Sequence, residues 1–233
     1  MTLLLLTQFH YRFYNLSLDL IRYYFQERQQ TVKNKKTKSS FKRITLGVPQ
    51  GSVLGPLFFL IFINDMPFLL KKLQCKLFAD DTTLYNSNEN LENLIRLFKL
   101  ELESLIIWCR RNRLDINWSK TFFMFCTNKR IKLPKEIIVD GVKVQVVESF
   151  KLLGVMIDNK LNLLQHASNI RLAVNKKMFS IKRLFFLSSS VKLQFFKSFI
   201  QPYFDYCSTL LIYFPKSTIQ KIKNRSLWRL LSS

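Results

Sequence analysis

Two neighbouring acids, Asp80 and Asp81, interrupt the apolar, strand-forming stretch "LFADDTTLY" of residues 77–85. Adjacent carboxylates repel, and burial without compensation is expensive, so a fold that keeps both must leave them in water or neutralise them. A hairpin tip would do the first, because Asp is a favoured turn residue. Neutralising them needs positive charge, and the chain has it in excess. Its 233 residues carry 37 Lys+Arg against 15 Asp+Glu, a formal net charge of +22. Such a charge repels itself in isolation and calls for a polyanionic partner, with nucleic acid the leading candidate.

The charge is unevenly spread. Arg28, Lys33, Lys35, Lys36, Lys38, Lys42 and Arg43 lie in a stretch without an acid, and beyond Asp158 the only acid is Asp205. A charge run on one helix face is commonly just solvated. Here the excess persists over whole segments, which favours a groove for a phosphate backbone.

Length and a hydrophobic fraction of 48% allow one sizeable domain or two small ones with a real core. Cys75, Cys109, Cys126 and Cys207 show no pair at metal-ligand spacing, and no secretory signal precedes them. Free thiols in an intracellular setting, cytoplasm or nucleus, are the expectation. The opening "MTLLLLTQFHYRF" lacks a basic leader and a cleavage site and reads as a buried helix start. "VLGPLFFLIFI" is shorter than the roughly 20 residues a membrane span needs, so it reads as a core helix and no membrane partner is expected.

Periodicity places a helix over residues 3–27, with Leu16, Leu20, Tyr23 and Tyr24 on its apolar steps. A basic hairpin follows, entered by Thr31 and Val32, turning over 34–39 and returning through Phe41, Ile44 and Leu46. Gly47, Pro49, Gly51, Gly55 and Pro56 make a loop, and Pro56 suits the first turn of a helix from Leu57 to Asp65. The acid hairpin "CKLFADDTTLYN" precedes an amphipathic helix from Asn88 to Trp108, carried by Leu91, Leu94, Ile95, Phe98, Leu102, Leu105 and Ile106. "LDINWSKTFFMFCT", "EIIVDGVKVQVV" with its Asp140-Gly141 turn signal, and "FKLLGVMID" read as strands. Residues 161–233 read as helices: one around 170–186, one from the Ser188–Ser190 cap to before Pro202, and one from Ser217. The class is α+β, a largely antiparallel sheet followed by a helical C-terminal part.

"GVPQGSVLGP" at 47–56, followed by "FADD" at 78–81, resembles the reverse transcriptase domain of non-LTR, jockey-like retrotransposons. Asn112, Leu114, Asn117, Lys120 and Thr121 match that family's next strand, and "FKLLGVMID" at 150–158 its primer-gripping strand. "QPYFDYCSTL" and "IQKIKNRSLWRLL" look like the ends of its thumb, so the likeness runs from about Leu5 into the C-terminal helices. These pieces in this order are far more specific than an isolated Asp pair.

The resemblance implies a right-hand polymerase, with partial fingers and a palm built on an antiparallel sheet over 1–158 and a helical thumb over 159–233. It implies RNA-directed DNA synthesis from an RNA template, a DNA primer and deoxynucleoside triphosphates. Asp80 and Asp81 would bind two Mg²⁺ ions about 4 Å apart. Mg²⁺ takes oxygen ligands while keeping waters and substrate phosphate oxygens, which would neutralise the acid pair. Pro49, Gln50 and Gly51 would approach the templating base and the incoming nucleotide, and Lys120 would steady or protonate the leaving pyrophosphate. Phe150, Leu153 and Gly154 would hold the primer end. Arg28, Lys33, Lys35 and Lys36 would line the template path, and Lys176 and Lys177 would track the duplex backbone. Blander readings stand beside two of these: Lys120 as a solvated strand lysine, and 150–154 as an apolar strand packed on helices.

The family's site needs a further Asp, on a strand before the helix that residues 3–15 resemble, and the sequence starts after that point. Asp19 and Asp65 read as a surface helix residue and a helix-end residue, so neither stands in. Lack of a carboxylate that bridges both ions should cost more than the roughly 10- to 100-fold typical of a residue that merely supports a metal ligand. An N-terminally truncated copy with weak or absent activity is therefore expected, and a non-catalytic nucleic-acid-binding remnant is the alternative. Loss of the first palm strand would also leave an open sheet edge. Phe78, where many relatives have Tyr, keeps the ring and should be tolerated.

Overall fold

A computed structural model describes Tyr14 and residues 16–44, 47–49, 51–182, 186–214, 216, 217 and 219. Packing divides the chain into two units, Met1–Asn117 and Trp118–Ser233.

In the first unit, helix α1 (Leu16–Phe25) buries Leu18 and Ile21. Sequence periodicity pointed to another stripe, but Leu16, Leu20 and Tyr23 are exposed. Both stripes recur at helical spacing; the aromatic partners Tyr24, Phe25 and Phe58 select the one that packs. A basic hairpin forms from two short ladders, β1 (Gln29–Gln30) with β4 (Lys42–Arg43) and β2 (Lys33–Asn34) with β3 (Thr37–Lys38), the second pairing inside the segment read as the turn and leaving Lys35-Lys36 at the tip. Their registers differ by one residue, Gln30 facing Lys42 but Lys33 facing Lys38, so the returning strand carries a bulge. Side chains hold it: Thr31 Oγ1 donates to Ser39 O at 2.7 Å, and Ser39 Oγ accepts from Val32 N at 2.9 Å.

Helix α2 (Gly55–Ile63) starts with Pro56 in its first turn, where a missing N–H costs nothing, and a 3₁₀ turn (Met66–Leu69) follows it. Strands β5 (Gln74–Phe78) and β6 (Asp81–Tyr85) form the acid hairpin. Helix α3 (Leu91–Arg111) is capped by Asn90, whose side chain accepts from Asn93 N, and carries Arg110 and Arg111 in its last turn. Ile63, Met66, Leu105, Trp108 and Cys109 make the core beneath the hairpin, with Cys75, Leu77 and Leu84 packed on it.

In the second unit the expected long strand after Leu114 shrinks to a 3₁₀ turn (Trp118–Lys120) and β7 (Phe122–Phe123). Strands β8 (Glu136–Val139) and β9 (Val142–Val146) meet at Asp140-Gly141, both with positive φ, as the turn signal predicted. β7 joins β9 in parallel. "FKLLGVMID" is a hairpin and not a single strand: β10 (Ser149–Leu152) pairs with β11 (Val155–Asp158) across a Leu153-Gly154 turn. Both turn residues have positive φ, +46° and +91°. Helix α4 (Leu164–Lys182) begins earlier than periodicity suggested. Helix α5 (Ser189–Phe199) starts after Ser188 and ends before Pro202, as read from the sequence. A one-turn helix α6 (Pro202–Asp205) and a 3₁₀ stretch (Ser208–Tyr213) follow. Val155, Leu163, Ala167, Ile170, Val174, Met178, Ile200 and Phe214 form this unit's core.

The fold is α+β, as expected. Its strands form small, mostly antiparallel ladders rather than one broad sheet. Among the described residues no helix is long and apolar enough to cross a membrane, and all four cysteines are free thiols.

Candidate active site

The acid pair sits at a two-residue bend. Phe78 faces Asp81 across the ladder, leaving Ala79 and Asp80 as the turn. Ala79 has φ +51°, a left-handed conformation costing a side-chain-bearing residue roughly 1–2 kcal/mol. Strained backbone of this kind clusters at functional sites. Cross-strand register puts Cys75, Leu77, Thr82 and Leu84 on one face and Lys76, Phe78, Asp81 and Thr83 on the other. The first face packs on the core; the second carries Phe78 63% exposed, and both acids are exposed. Two carboxylates in water at a tight turn are free to take a cation, and the apolar face fixes where they point.

The root of this hairpin is clamped by a residue that sequence reading missed. Glu101, on α3 and only 7% exposed, accepts from Lys72 N at 3.2 Å and Leu73 N at 3.4 Å, immediately before β5. Asn86, immediately after β6, donates to Lys72 O at 2.5 Å. Both ends of the hairpin are thereby tied to one peptide. The signal was present: Glu101 falls on the apolar stripe of α3 between Phe98 and Leu105, where an acid is out of place.

The glycine loop has its own hub. Ser52 Oγ donates to Pro49 O at 2.8 Å and accepts from Gly55 N at 3.1 Å. Its proton is thus used, so the Tyr24 hydroxyl donates to it, at 2.5 Å. Gly51 needs its φ of +82°, which only glycine adopts freely. Gln50 lies outside the described residues, whereas Pro49 and Gly51 flank this hub. The Arg28 guanidinium lies 5.3 Å from the Tyr24 ring centroid, so Tyr24 joins the root of the basic hairpin to the loop. Lys33, Lys35 and Lys36 are exposed, the last two at the hairpin tip.

Helix α2 connects loop and acids. Phe58 and Ile61 pack with Ile21, Val48 and Leu54 on the loop side. Phe59, Phe62 and Ile63 pack under the acid hairpin.

The remaining candidates belong to the second unit. Lys120 is exposed at the end of a 3₁₀ turn, not on a strand. Phe150 is half-buried with its ring 5.0 Å from that of Phe122. Leu153 and Gly154 form the β10–β11 turn. Lys176 and Lys177 are exposed on α4, Lys177 Nζ lying 5.9 Å from the Phe199 ring centroid.

The family described as reverse transcriptase (RNA-dependent DNA polymerase) matches residues 6–157. The chain belongs to the reverse transcriptase family. The match takes in the acid hairpin, the glycine loop, the basic hairpin, Lys120 and the β10–β11 turn, while Lys176 and Lys177 lie beyond it. The chain is 31% identical over 200 residues to a probable RNA-directed DNA polymerase from transposon X-element of Drosophila melanogaster, covering 80% of the chain and 21% of that protein. It is 26% identical over 215 residues to the RNA-directed DNA polymerase from mobile element jockey of the same species, covering 88% and 23%. A probable RNA-directed DNA polymerase from transposon BS matches at 29% over 157 residues, covering 63% and 17%. The resemblance to jockey-like elements is therefore borne out, and the chain spans about a fifth of the length of these relatives. No solved structure matches it significantly.

The reverse transcriptase family generally uses divalent metal ions. The donors fit: Asp80 and Asp81 are hard oxygen ligands, exposed, with room for waters and phosphates around them. Among the described residues no three His, Cys, Asp or Glu side chains converge on a common point. Asp19 pairs with Arg22 on the surface of α1, and Asp65 Oδ2 accepts from Trp108 Nε1 at 3.4 Å while its Oδ1 is buried without a hydrogen-bond partner among the described residues.

Proposed function

We propose that this chain is a reverse transcriptase domain of a non-LTR retrotransposon, carrying out RNA-directed DNA synthesis by two-metal nucleotidyl transfer. The observation that carries the reading is the exposed acid pair at a strained, well-anchored bend, inside the segment that matches the family. Asp80 and Asp81 hold the divalent ions, which supply charge neutralisation for the attacking hydroxyl and the departing pyrophosphate. Pro49, Gln50 and Gly51 face the templating base and the incoming deoxynucleotide, and Lys120 steadies the pyrophosphate. Phe150, Leu153 and Gly154 hold the primer end. Arg28, Lys33, Lys35 and Lys36 follow the template strand, and Lys176 and Lys177 the duplex, by phosphate contacts. In this reading residues 1–158 act as palm and partial fingers and 159–233 as thumb.

Residues 1–233 supply two acids of the family's set, so weak or no extension is expected of them alone. The test uses the chain extended by the family's upstream strand, an RNA template, a DNA primer, deoxynucleotides and Mg²⁺. Primer extension that falls at least a hundredfold in Asp80→Ala and in Asp81→Ala supports the reading. An extended chain that adds no nucleotide, with Mg²⁺ binding untouched by either substitution, defeats it.

A second reading is favoured by the lack of a third converging acid among the described residues. The chain is then a binding remnant without chemistry, and its affinity for RNA–DNA hybrid is salt-sensitive but indifferent to Mg²⁺ and to Asp80→Ala.

A further inference from the structure

The β10–β11 hairpin is held along β11 and at its turn by different groups. Val155, which closes the turn against Leu152, and Ile157 join the core with Leu163, Ala167 and Ile170, and Met156 N donates to His166 Nδ1 of α4 at 3.4 Å. The two turn residues themselves are met by Tyr206. Tyr206, just after α6, donates its hydroxyl to the Leu153 carbonyl. Its ring also covers Gly154: a Cβ added there would lie 3.2 Å from Tyr206 Cε1 and 3.4 Å from its hydroxyl oxygen.

This tip needs an anchor. Leu153 has φ +46°, which a branched side chain adopts at a cost, and Gly154 has φ +91°. The turn also borders a cavity of about 530 Å³, lined in part by Lys151, Met156, His166 and Tyr203. Gly154 and Tyr206 both line this cavity, so without the hydroxyl the turn has strain to relax and space beside it, while Val155 stays in the core.

We infer that Tyr206 is a positioning residue that fixes the Leu153–Gly154 turn from the following helical segment, so that "QPYFDYC" sets the shape of the element that meets the primer end. The use of that shape on a primer rests on the proposed function; the latch itself does not.

Two measurements on the 233-residue chain separate the two statements. In Tyr206→Phe, which keeps the ring and removes the donor, amide hydrogen exchange over residues 149–158 should quicken about three- to tenfold, as expected for one hydrogen bond, with the melting temperature unchanged. Unchanged exchange in Tyr206→Phe overturns the latch. The second measurement is affinity for a labelled RNA–DNA hybrid with a recessed 3′ end against a blunt hybrid of equal length. The wild type should prefer the recessed end, and Tyr206→Phe should lose about three- to tenfold on that hybrid alone, a selectivity that general loosening does not produce. Equal loss on both hybrids overturns the positioning role. A wild type indifferent to the recessed end defeats the primer-holding part of the proposed function, while exchange still decides the latch.

Discussion

Replacing Glu101 by Ala removes the acceptor for two backbone N–H groups at the root of the acid hairpin. Leu73 is buried, so its N–H would be left without water, at about 1–3 kcal/mol. Lys72 is exposed and its N–H can turn to solvent at little cost. The one methylene lost from the α3 stripe, Cγ, adds about 0.8 kcal/mol. The expected loss is about 3 kcal/mol, or on the order of 10 °C in melting temperature for a unit of this size. Glu101→Gln keeps a carbonyl acceptor and should lose only about 1 kcal/mol. Urea unfolding gives the stability, and amide exchange at Lys72 and Leu73 locates the effect. If Glu101→Ala unfolds within about 0.5 kcal/mol of wild type and those two amides exchange as before, the clamp does not hold the hairpin and the reasoning fails.

Two further outcomes follow from charge and burial. Lys35→Ala with Lys36→Ala should lower the slope of log affinity against log salt on RNA–DNA hybrid by about two, at roughly 0.9 per phosphate contact, and titrations between low and moderate salt measure this. Burial holds the His166 imidazole below its ordinary value. The folded state therefore takes up its proton later than the unfolded chain, so stability is full above about pH 6.5 and falls as the pH drops through that value. Urea midpoints at pH 7.5 and 5.5 should separate in the wild type, and by less in His166→Gln.

Local signals that need only nearby residues were legible in the sequence. The Asp140-Gly141 turn, Pro56 at a helix start and the apolar stripe of α3 all formed where composition and period put them. The Leu153-Gly154 turn escaped because Leu at positive φ contradicts its own preference and is held there by Tyr206, 53 residues on. The buried face of α1 escaped for a related reason: two stripes competed, and Phe58 of another helix chose between them. At the site, the acids and the glycine loop were readable as residue types. The groups that orient them, Glu101, Asn86, Ser52 and Tyr24, act through pairings across 14 to 29 residues, or through a three-residue loop, that no period reveals.

Helix α2 is nine residues long, and its two sides answer to different masters. On the proposed function, this short rod joins the glycine loop to the acid bend, so a substitution along either of its buried flanks should disturb both together.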